Sequence, residues 1–280
     1  METTPLIVAF VADLMFTPRI AKVAEHIGYR VKWIETADQI GNVELEARPE
    51  LPGEFLYGRE GRLFDQMTLW QPALLLFDLN NAAIPWREWI AALKSAAATR
   101  RIPVMCFGSH MDVDTMKAAR SVGADAVLAR SRFTADMPAL FQRYARIPDR
   151  AALGVACSEP LSDLALKGIG KFNEGDYYAA HDSLEEAWVM DEGPGRDLYR
   201  GMLQVGIAYY QIEHNNYRGA IKMLLRVRQW LDPLPDKCRG VNVARLREDA
   251  DRVYAALLSL GEGQIGMFNR QLFGTIDYDR

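Results

Sequence analysis

The first half of the chain alternates short apolar runs with stretches in which apolar residues recur at helical spacing. An uninterrupted apolar run of four to eight residues is typical of a strand buried on both faces, whereas a 3.6-residue period is typical of an amphipathic helix. The pattern predicts strands at residues 6–12, 31–34, 73–77, 102–107 and 126–129. It predicts helices at residues 18–27, 59–70, 86–93, 113–122 and 134–144, with a Pro- and Gly-rich loop at 49–58.

Each predicted strand in this half is followed by a helix. Strand–helix pairs in series favour a parallel sheet that right-handed crossovers cover on both faces. We therefore expect an α/β unit of the doubly wound, flavodoxin-like (βα)5 class.

The second half of the chain shows helical spacing without strand-like alternation. Amphipathic helices are predicted at residues 161–172, 177–190, 196–214, 217–231 and 243–260. Asp176-Tyr177 with Ala180 and Leu184 recurs as Asn216-Tyr217 with Ala220 and Leu224, a period of 40 residues. Two such units are too few for an open solenoid, so we expect a compact all-α bundle of about five helices. The predicted domains are residues 1–147 (α/β), 148–160 (linker), 161–262 (helical) and 263–280 (tail).

Composition narrows the class of protein. Hydrophobic residues make up 49% of the chain, enough for two cores, and the formal net charge of -4 disfavours nucleic acid as a partner. The three cysteines, Cys106, Cys157 and Cys238, are scattered, and their spacing predicts neither a disulfide framework nor a zinc site. Since no apolar stretch approaches the roughly 20 residues of a membrane span, and residues 1–16 lack a signal-peptide pattern, we expect a cytoplasmic protein without a membrane partner.

Polar residues follow four of the predicted strands. Asp13, Asp78 and Arg130 come after the first, third and fifth strands, and Gly108-Ser109 follows the fourth. In an open parallel sheet the working groups lie at the carboxyl ends of the strands. We therefore expect any active group of this half among these residues.

Three segments of this half resemble the receiver domains of response regulators. The run 72–80 resembles their phosphoacceptor strand, Ile102-Pro103-Val104 resembles their fourth strand, and Gly123-Ala124-Asp125 resembles the entry to their fifth. The resemblance covers about residues 6–144. It implies Asp78 as the phosphoacceptor candidate, and the surrounding pocket would hold Asp13, Ser109 and Arg130.

The chemistry of this pocket departs from the receiver pattern. Ala12 stands where the second acid of a magnesium-binding pair is expected, Gly108 where a hydroxyl residue is expected, and Arg130 where lysine is expected. One carboxylate fewer weakens a hard-cation site, and a guanidinium is a planar fork rather than a compact charge. Two functional interpretations stay open: phosphorylation of Asp78 with Mg²⁺ held by Asp13 and Asp78, and a pseudo-receiver used for docking, which we favour. The structural alternative is that Asp78 only caps the following segment.

A dense motif occupies residues 170–188, and it resembles the helical family known as domain of unknown function 309. The resemblance rests on Phe-Asn, a glycine, an aromatic residue, Ala-His, Glu and Trp at fixed offsets, and it spans about residues 164–260. Asp182 departs from it, since the family more often has Glu there. The family has no settled activity, so the resemblance implies an architecture. The cleft candidates are Phe172, Asn173, His181, Glu185, Trp188, Arg196 and Gln204.

His181, Glu185 and Trp188 share one face of a predicted helix, because they are spaced four and three residues apart. We expect this face to pack inward, where Arg196 and Gln204 would supply hydrogen-bond partners.

Three interpretations of this cluster stay open. A structural polar network is favoured, because buried polar groups are usually satisfied internally. A small-molecule pocket lined by Trp188, Tyr178 and Tyr209 comes second. A metal or hydrolytic site comes last, since His-x-x-x-Glu supplies only two ligands.

The favoured function is a signalling or interaction protein whose partner is another protein or a second copy of the chain. It needs no cofactor, unless Asp78 takes a phosphoryl group and binds Mg²⁺. The alternatives are an enzyme that uses the cleft of His181, Glu185 and Trp188, and an active response regulator that uses Asp78. A nucleotide-binding domain is disfavoured, because no glycine-rich loop follows the first strand.

Overall fold

A computed structural model describes residues 4–41 and 58–279 and divides the chain into two compact units, Met1–Ile147 and Pro148–Arg280. Of the predicted loop at 49–58, only Gly58 lies within the described residues. Within these residues, no helix is both long enough and apolar enough to cross a membrane.

The first unit is a five-stranded parallel sheet with helices between the strands, as predicted. The strands are β1 (Leu6–Phe10), β2 (Arg30–Trp33), β3 (Leu74–Asp78), β4 (Val104–Gly108) and β5 (Ala126–Ala129). The helices are α1 (Thr17–His26), α2 (Gly58–Trp70), α3 (Trp86–Ser95), α4 (Val113–Ser121), α5 (Arg130–Ala135) and α6 (Met137–Tyr144). The strand order β2-β1-β3-β4-β5 is that of the flavodoxin-like class, so the predicted fold is confirmed.

Both faces of the sheet are buried, which explains the uninterrupted apolar runs. Val8, Phe10 and Phe77 pack into the core on one face, whereas Ile7 and Phe107 pack into the core on the other. Every residue of β3 and β4 is buried. The residues at the carboxyl ends of these two central strands, Asp78 and Gly108, are therefore buried.

The last predicted helix of this unit, residues 134–144, is in fact two helices. α5 begins at Arg130, directly after β5, and α6 starts anew at Met137 with Pro138 in its first turn. Proline lacks the amide hydrogen that would continue the earlier helix, and its ring clashes with the carbonyl four residues before it. The break places Arg130 at the start of a helix, at the carboxyl edge of the sheet.

The second unit is helical. Its helices are α7 (Arg150–Ser158), α8 (Asp163–Asn173), α9 (Tyr177–Met190), α10 (Asp197–Glu213), α11 (Tyr217–Leu231) and α12 (Val243–Leu260). A two-stranded antiparallel hairpin, β6 (Lys237–Cys238) and β7 (Val241–Asn242), lies between α11 and α12. The five predicted helices are α8 to α12.

The sequence repeat corresponds to two helical hairpins, α8–α9 and α10–α11. The side chains of Asp176 and Asn216 accept backbone hydrogen bonds from the third residues of α9 and α11, at 3.1 and 3.0 Å. Such caps satisfy amides that have no partner in the helix. The residues just before them, Gly175 and Asn215, both have positive φ. The repeat therefore encodes a turn and a cap.

The predicted linker at 148–160 is wrong in its middle, because α7 fills most of it. Asp149 caps this helix by accepting a 2.9 Å hydrogen bond from the Ala152 amide, and Leu153, Ala156 and Cys157 are buried. Small residues make up most of this buried face, so the apolar spacing is weak in the sequence. The cysteine spacing predicted no disulfide framework, yet Cys157 is bonded to Cys238, 81 residues away, and Cys106 is free and buried.

Parts of the tail, residues 263–280, are buried in its own unit. Short 3₁₀ turns at Glu262–Met267 and Arg270–Leu272 lead into an extended segment. Phe268 and Ile276 of the tail are 8% and 2% exposed, so these two side chains are buried.

Candidate functional site

Asp78 ends β3 and is buried, with 3% of its surface exposed. Its carboxylate accepts a 3.0 Å hydrogen bond from the Asn80 amide. It also accepts from the guanidinium of Arg130, whose Nη2 lies 3.3 Å from Oδ1 and 3.2 Å from Oδ2. The candidate phosphoacceptor is therefore held by a cation within the same unit.

Arg130 also contacts the other carboxylate of the predicted pocket. Its Nη2 lies 3.6 Å from Oδ2 of Asp13, and its guanidinium carbon lies 5.1 Å from the ring centre of Phe16. Asp13 accepts a 2.8 Å hydrogen bond from the Met15 amide through its other oxygen. One guanidinium thus stands between two carboxylates and stacks on an aromatic ring.

Burial raises the pKa of Asp78 above its ordinary value, because the charged carboxylate loses hydration. The Asn80 amide and the Arg130 guanidinium lower this pKa, and the negative charge of Asp13 raises it. The two donors therefore offset the desolvation of Asp78 only in part.

Ser109 lies at the same edge, but the structure does not bring its hydroxyl to Asp78. Its Oγ accepts a 3.3 Å hydrogen bond from the Met111 amide. At Gly108, where receivers carry a hydroxyl residue, a Cβ would lie 3.2 Å from Cβ of Leu79. A side chain at 108 would crowd Leu79, so the glycine suits the local packing.

The donor set at this edge does not fit a divalent cation. Mg²⁺ prefers several oxygen ligands in near-octahedral geometry, and here Asp13 and Asp78 share the guanidinium of Arg130. Across the described part of the chain, no group of three or more His, Cys, Asp or Glu residues could hold a metal ion.

The motif residues of the helical unit fall at three separate places. Phe172 is 2% exposed and packs against Tyr177 and Tyr209, with ring centres 5.3 and 5.8 Å away. Asn173 bonds to Ile276 of the tail through both ends of its amide. Gln204 is buried on α10, and its Oε1 has no hydrogen-bond partner among the described residues.

The predicted inward face of His181, Glu185 and Trp188 is not found. Glu185 is exposed, and Nδ1 of His181 lies 3.3 Å from Oδ1 of its neighbour Asp182. The core face of α9 carries other side chains, namely Tyr177, Ala180, Ser183, Leu184 and Ala187. One position along a helix rotates a side chain by about 100°, so the predicted stripe lies beside the core face.

Trp188 is partly buried and packs against arginines of the following segment. The guanidinium carbons of Arg196 and Arg200 lie 5.0 and 4.4 Å from its ring, and Arg200 lies at the same distance from Trp230. Of the predicted cleft residues, Trp188 and Arg196 lie together, whereas His181 and Glu185 are not part of this stack.

The sequence analysis missed a buried arginine at the β6–β7 turn. Arg239 is 7% exposed and pairs with Asp191 at 2.6 Å and with Glu159 at 3.0 Å. It also donates to the Ala156 carbonyl at 3.1 Å and to the Tyr199 hydroxyl. No sequence motif links these residues, and the adjacent Cys238 is the one hint that the turn is anchored.

Comparison with known proteins finds a family match within the helical unit. Residues 166–223 match the family described as Domain of unknown function (DUF309). An uncharacterized protein of Aquifex aeolicus (strain VF5) is 28% identical over 96 residues, which are 34% of this chain and 27% of that protein. The chain thus spans about a quarter of this relative's length.

Solved structures of response regulators align with about half of the chain. The response regulator RPA3017 of R. palustris is 14% identical with a TM-score of 0.37, over 50% of this chain and 93% of that one. The chemotaxis response regulator CheY4 of Vibrio cholerae is 13% identical with the same TM-score, over 50% of this chain and 98% of that one.

Proposed function

We propose that this chain is a signalling or interaction protein in which the flavodoxin-like unit is a docking module that does not accept a phosphoryl group. The observation that carries the proposal is the guanidinium of Arg130, which lies on the Asp78 carboxylate and beside Asp13. A nucleophilic oxygen of Asp78 would have to leave this ion pair before it could attack a phosphodonor.

The cost of opening the pair is high because Asp78 is buried. Separating the partners leaves the Asp78 carboxylate buried without its counter-ion. Because Arg130 is one-third exposed, the cost is below the roughly 3–5 kcal/mol of a fully buried pair. A phosphoryl acceptor also needs a metal and a mobile hydroxyl, since phosphoryl transfer depends on electrostatic positioning. Asp13 is engaged by Arg130, and the Ser109 hydroxyl is bonded to a backbone amide.

Large apolar side chains at the same edge support contact with another protein. Leu14 and Met15, after β1, are 84% and 76% exposed, and Met111 and Val113, after β4, are 79% and 51% exposed. Exposed apolar groups of this size are costly unless a partner covers them. This edge is the part of the first unit that we assign to a protein partner.

The proposal is tested by incubating the full chain with acetyl phosphate and Mg²⁺ and measuring its intact mass. We expect the incubation to leave the mass of the wild type unchanged, as it leaves that of Asp78→Ala, because Arg130 keeps the carboxylate occupied. A receiver domain of known phosphoacceptor activity, treated in parallel, controls for the donor. A phosphate adduct on the wild type that is absent from Asp78→Ala would overturn the proposal in favour of an active response regulator.

A further inference from the structure

The last residues of the tail bind the helical unit as an extended peptide. Between Phe273 and Asp279 the segment's backbone hydrogen bonds go to residues outside it. The Gly274 amide donates to the Tyr209 hydroxyl at 3.3 Å, and the Asp279 amide donates to the Gly240 carbonyl at 3.1 Å. Backbone pairing of this kind is how a protein recognises an extended ligand.

Asn173 bonds to the tail as a neighbouring strand would. Its Nδ2 donates to the Ile276 carbonyl at 2.9 Å, and its Oδ1 accepts from the Ile276 amide at 2.7 Å. Both backbone groups of one tail residue are thus satisfied by one side chain. Ile276 itself is 2% exposed, so this position also selects an apolar side chain.

An aromatic pocket receives Phe273. Its ring stacks on Tyr209 with the centres 4.3 Å apart, and it meets Tyr177 edge to face at 6.0 Å. Tyr209 and Tyr177 also contact Phe172, which belongs to the same family motif as Asn173. The aromatic pocket and the Asn173 side chain that binds the tail backbone therefore share residues of one sequence motif.

Glycine is required directly after the aromatic residue. A Cβ at Gly274 would overlap the carboxylate of Asp249, which is buried on α12. Three residues further on, the tail joins the β6–β7 hairpin: Tyr278 bridges Val241, and the Asn242 amide donates to the Asp277 carbonyl at 2.9 Å.

From these contacts we propose that the helical unit contains a peptide-binding groove and that the chain's own tail is its resident ligand. The groove recognises an aromatic residue, the glycine directly after it and an aliphatic residue two positions after the glycine. The same segment supplied in trans fits the groove when the resident tail is released. The proposal concerns the second unit alone and does not depend on the state of Asp78.

The test uses the full chain with a protease recognition sequence inserted between the exposed residues Gly263 and Gln264. After cleavage, the tail has no covalent link to the helices and exchanges with added peptide. The probe is a synthetic peptide of residues 268–280 with a fluorophore at its N-terminus, and binding is read by fluorescence anisotropy. We expect the cleaved chain to bind the probe saturably, with competition by unlabelled peptide, and the uncleaved chain not to bind it.

Matched variants separate recognition from mere packing. Replacing Gly274 by Val in the probe, and Asn173 by Ala in the protein, should each weaken binding by about tenfold or more. The first change adds a side chain that overlaps Asp249, and the second removes two hydrogen bonds. Thr275→Ala in the probe and Lys167→Ala in the protein alter exposed side chains and should leave binding unchanged.

Two outcomes would overturn the groove. One is a cleaved chain that keeps its helical circular dichroism and does not bind the probe. The other is a Gly274→Val probe that binds as tightly as the native sequence. A variant that ends at Met267 and keeps its helical circular dichroism has no resident tail, so probe binding to it tests the groove independently.

Discussion

Asp78 lies at an edge of the sheet, but it is buried there, and this burial raises its pKa. Its charge loses hydration inside the unit, and the Asn80 amide and Arg130 restore part of that loss. The residue occupies the position of a nucleophile, yet its oxygens already have donors. Position along a strand predicts where such a group lies, whereas its neighbours decide what it can do.

The raised pKa of Asp78 predicts a dependence of stability on pH. Because the folded state binds this proton more tightly than the unfolded chain does, the contribution of Asp78 is greatest below its ordinary pKa of 3.8. It is lost as the pH rises through the raised value. In urea unfolding of the full chain at a series of pH values, the free energy of unfolding should fall across this window.

Asp78→Asn should remove this component of the pH profile, because the amide does not titrate. Asp136→Asn changes an exposed carboxylate of the same unit and serves as the control, which should keep the wild-type slope. Equal slopes for wild type and Asp78→Asn would contradict the assignment.

Close packing between helices depends on glycines in the second unit. On α10, a Cβ at Gly201 would overlap the side chain of Leu231, which ends α11 and is 1% exposed. Only a residue without a side chain lets the two helices approach to this distance. The α10–α11 hairpin is thus specified by its cap and by this contact.

We predict that Gly201→Ala lowers the free energy of unfolding by about 1–3 kcal/mol, the usual cost of overpacking a core. The measurement is urea unfolding followed by far-ultraviolet circular dichroism. Gly170→Ala on α8 is the matched control, since nothing lies within 4 Å of its Cβ. That variant should gain up to about 1 kcal/mol from alanine's higher helix propensity. A stabilised Gly201→Ala would show that the hairpin is more loosely packed than described.

The disulfide joins segments far apart in the chain and acts on the second unit as a whole. Cys157 lies near the end of α7 and Cys238 in the β6–β7 hairpin, next to the buried Arg239. The Arg239 amide donates to the Cys157 carbonyl at 2.6 Å, so the covalent and ionic links hold the same two segments. Disulfides persist in oxidising compartments. This bond does not support the cytoplasmic location expected from the sequence, which stays a prediction.

Protein unfolded without reductant should react with an alkylating reagent at Cys106 alone, and at all three cysteines after reduction. Intact mass counts the additions. Cys238→Ser should lower the stability of the oxidised protein by about 2–4 kcal/mol, because the open chain gains entropy. Reductant should remove most of this difference. Three reactive thiols in oxidised, unfolded protein would show that the bond does not form.

The sequence by itself determined the five strands of the sheet, the helices α1 to α4 and α8 to α12, and their order. Local features depend on residues a few positions apart, so they can be recognised in the sequence. They include strand burial, helix periodicity and the caps at Asp176 and Asn216. The same local reasoning placed Asp13, Asp78 and Arg130 at one edge of the sheet, because parallel strands present their carboxyl ends together.

Only the tertiary structure decided which distant groups meet. Arg130 lies 52 residues from Asp78, Cys238 lies 81 from Cys157, and Ile276 lies 103 from Asn173. Each pairing depends on how whole elements pack. Space and charge then decide which of the distant side chains fits. At Glu185 the sequence predicted the helix correctly but not the burial, because this residue lies one position away from the buried face.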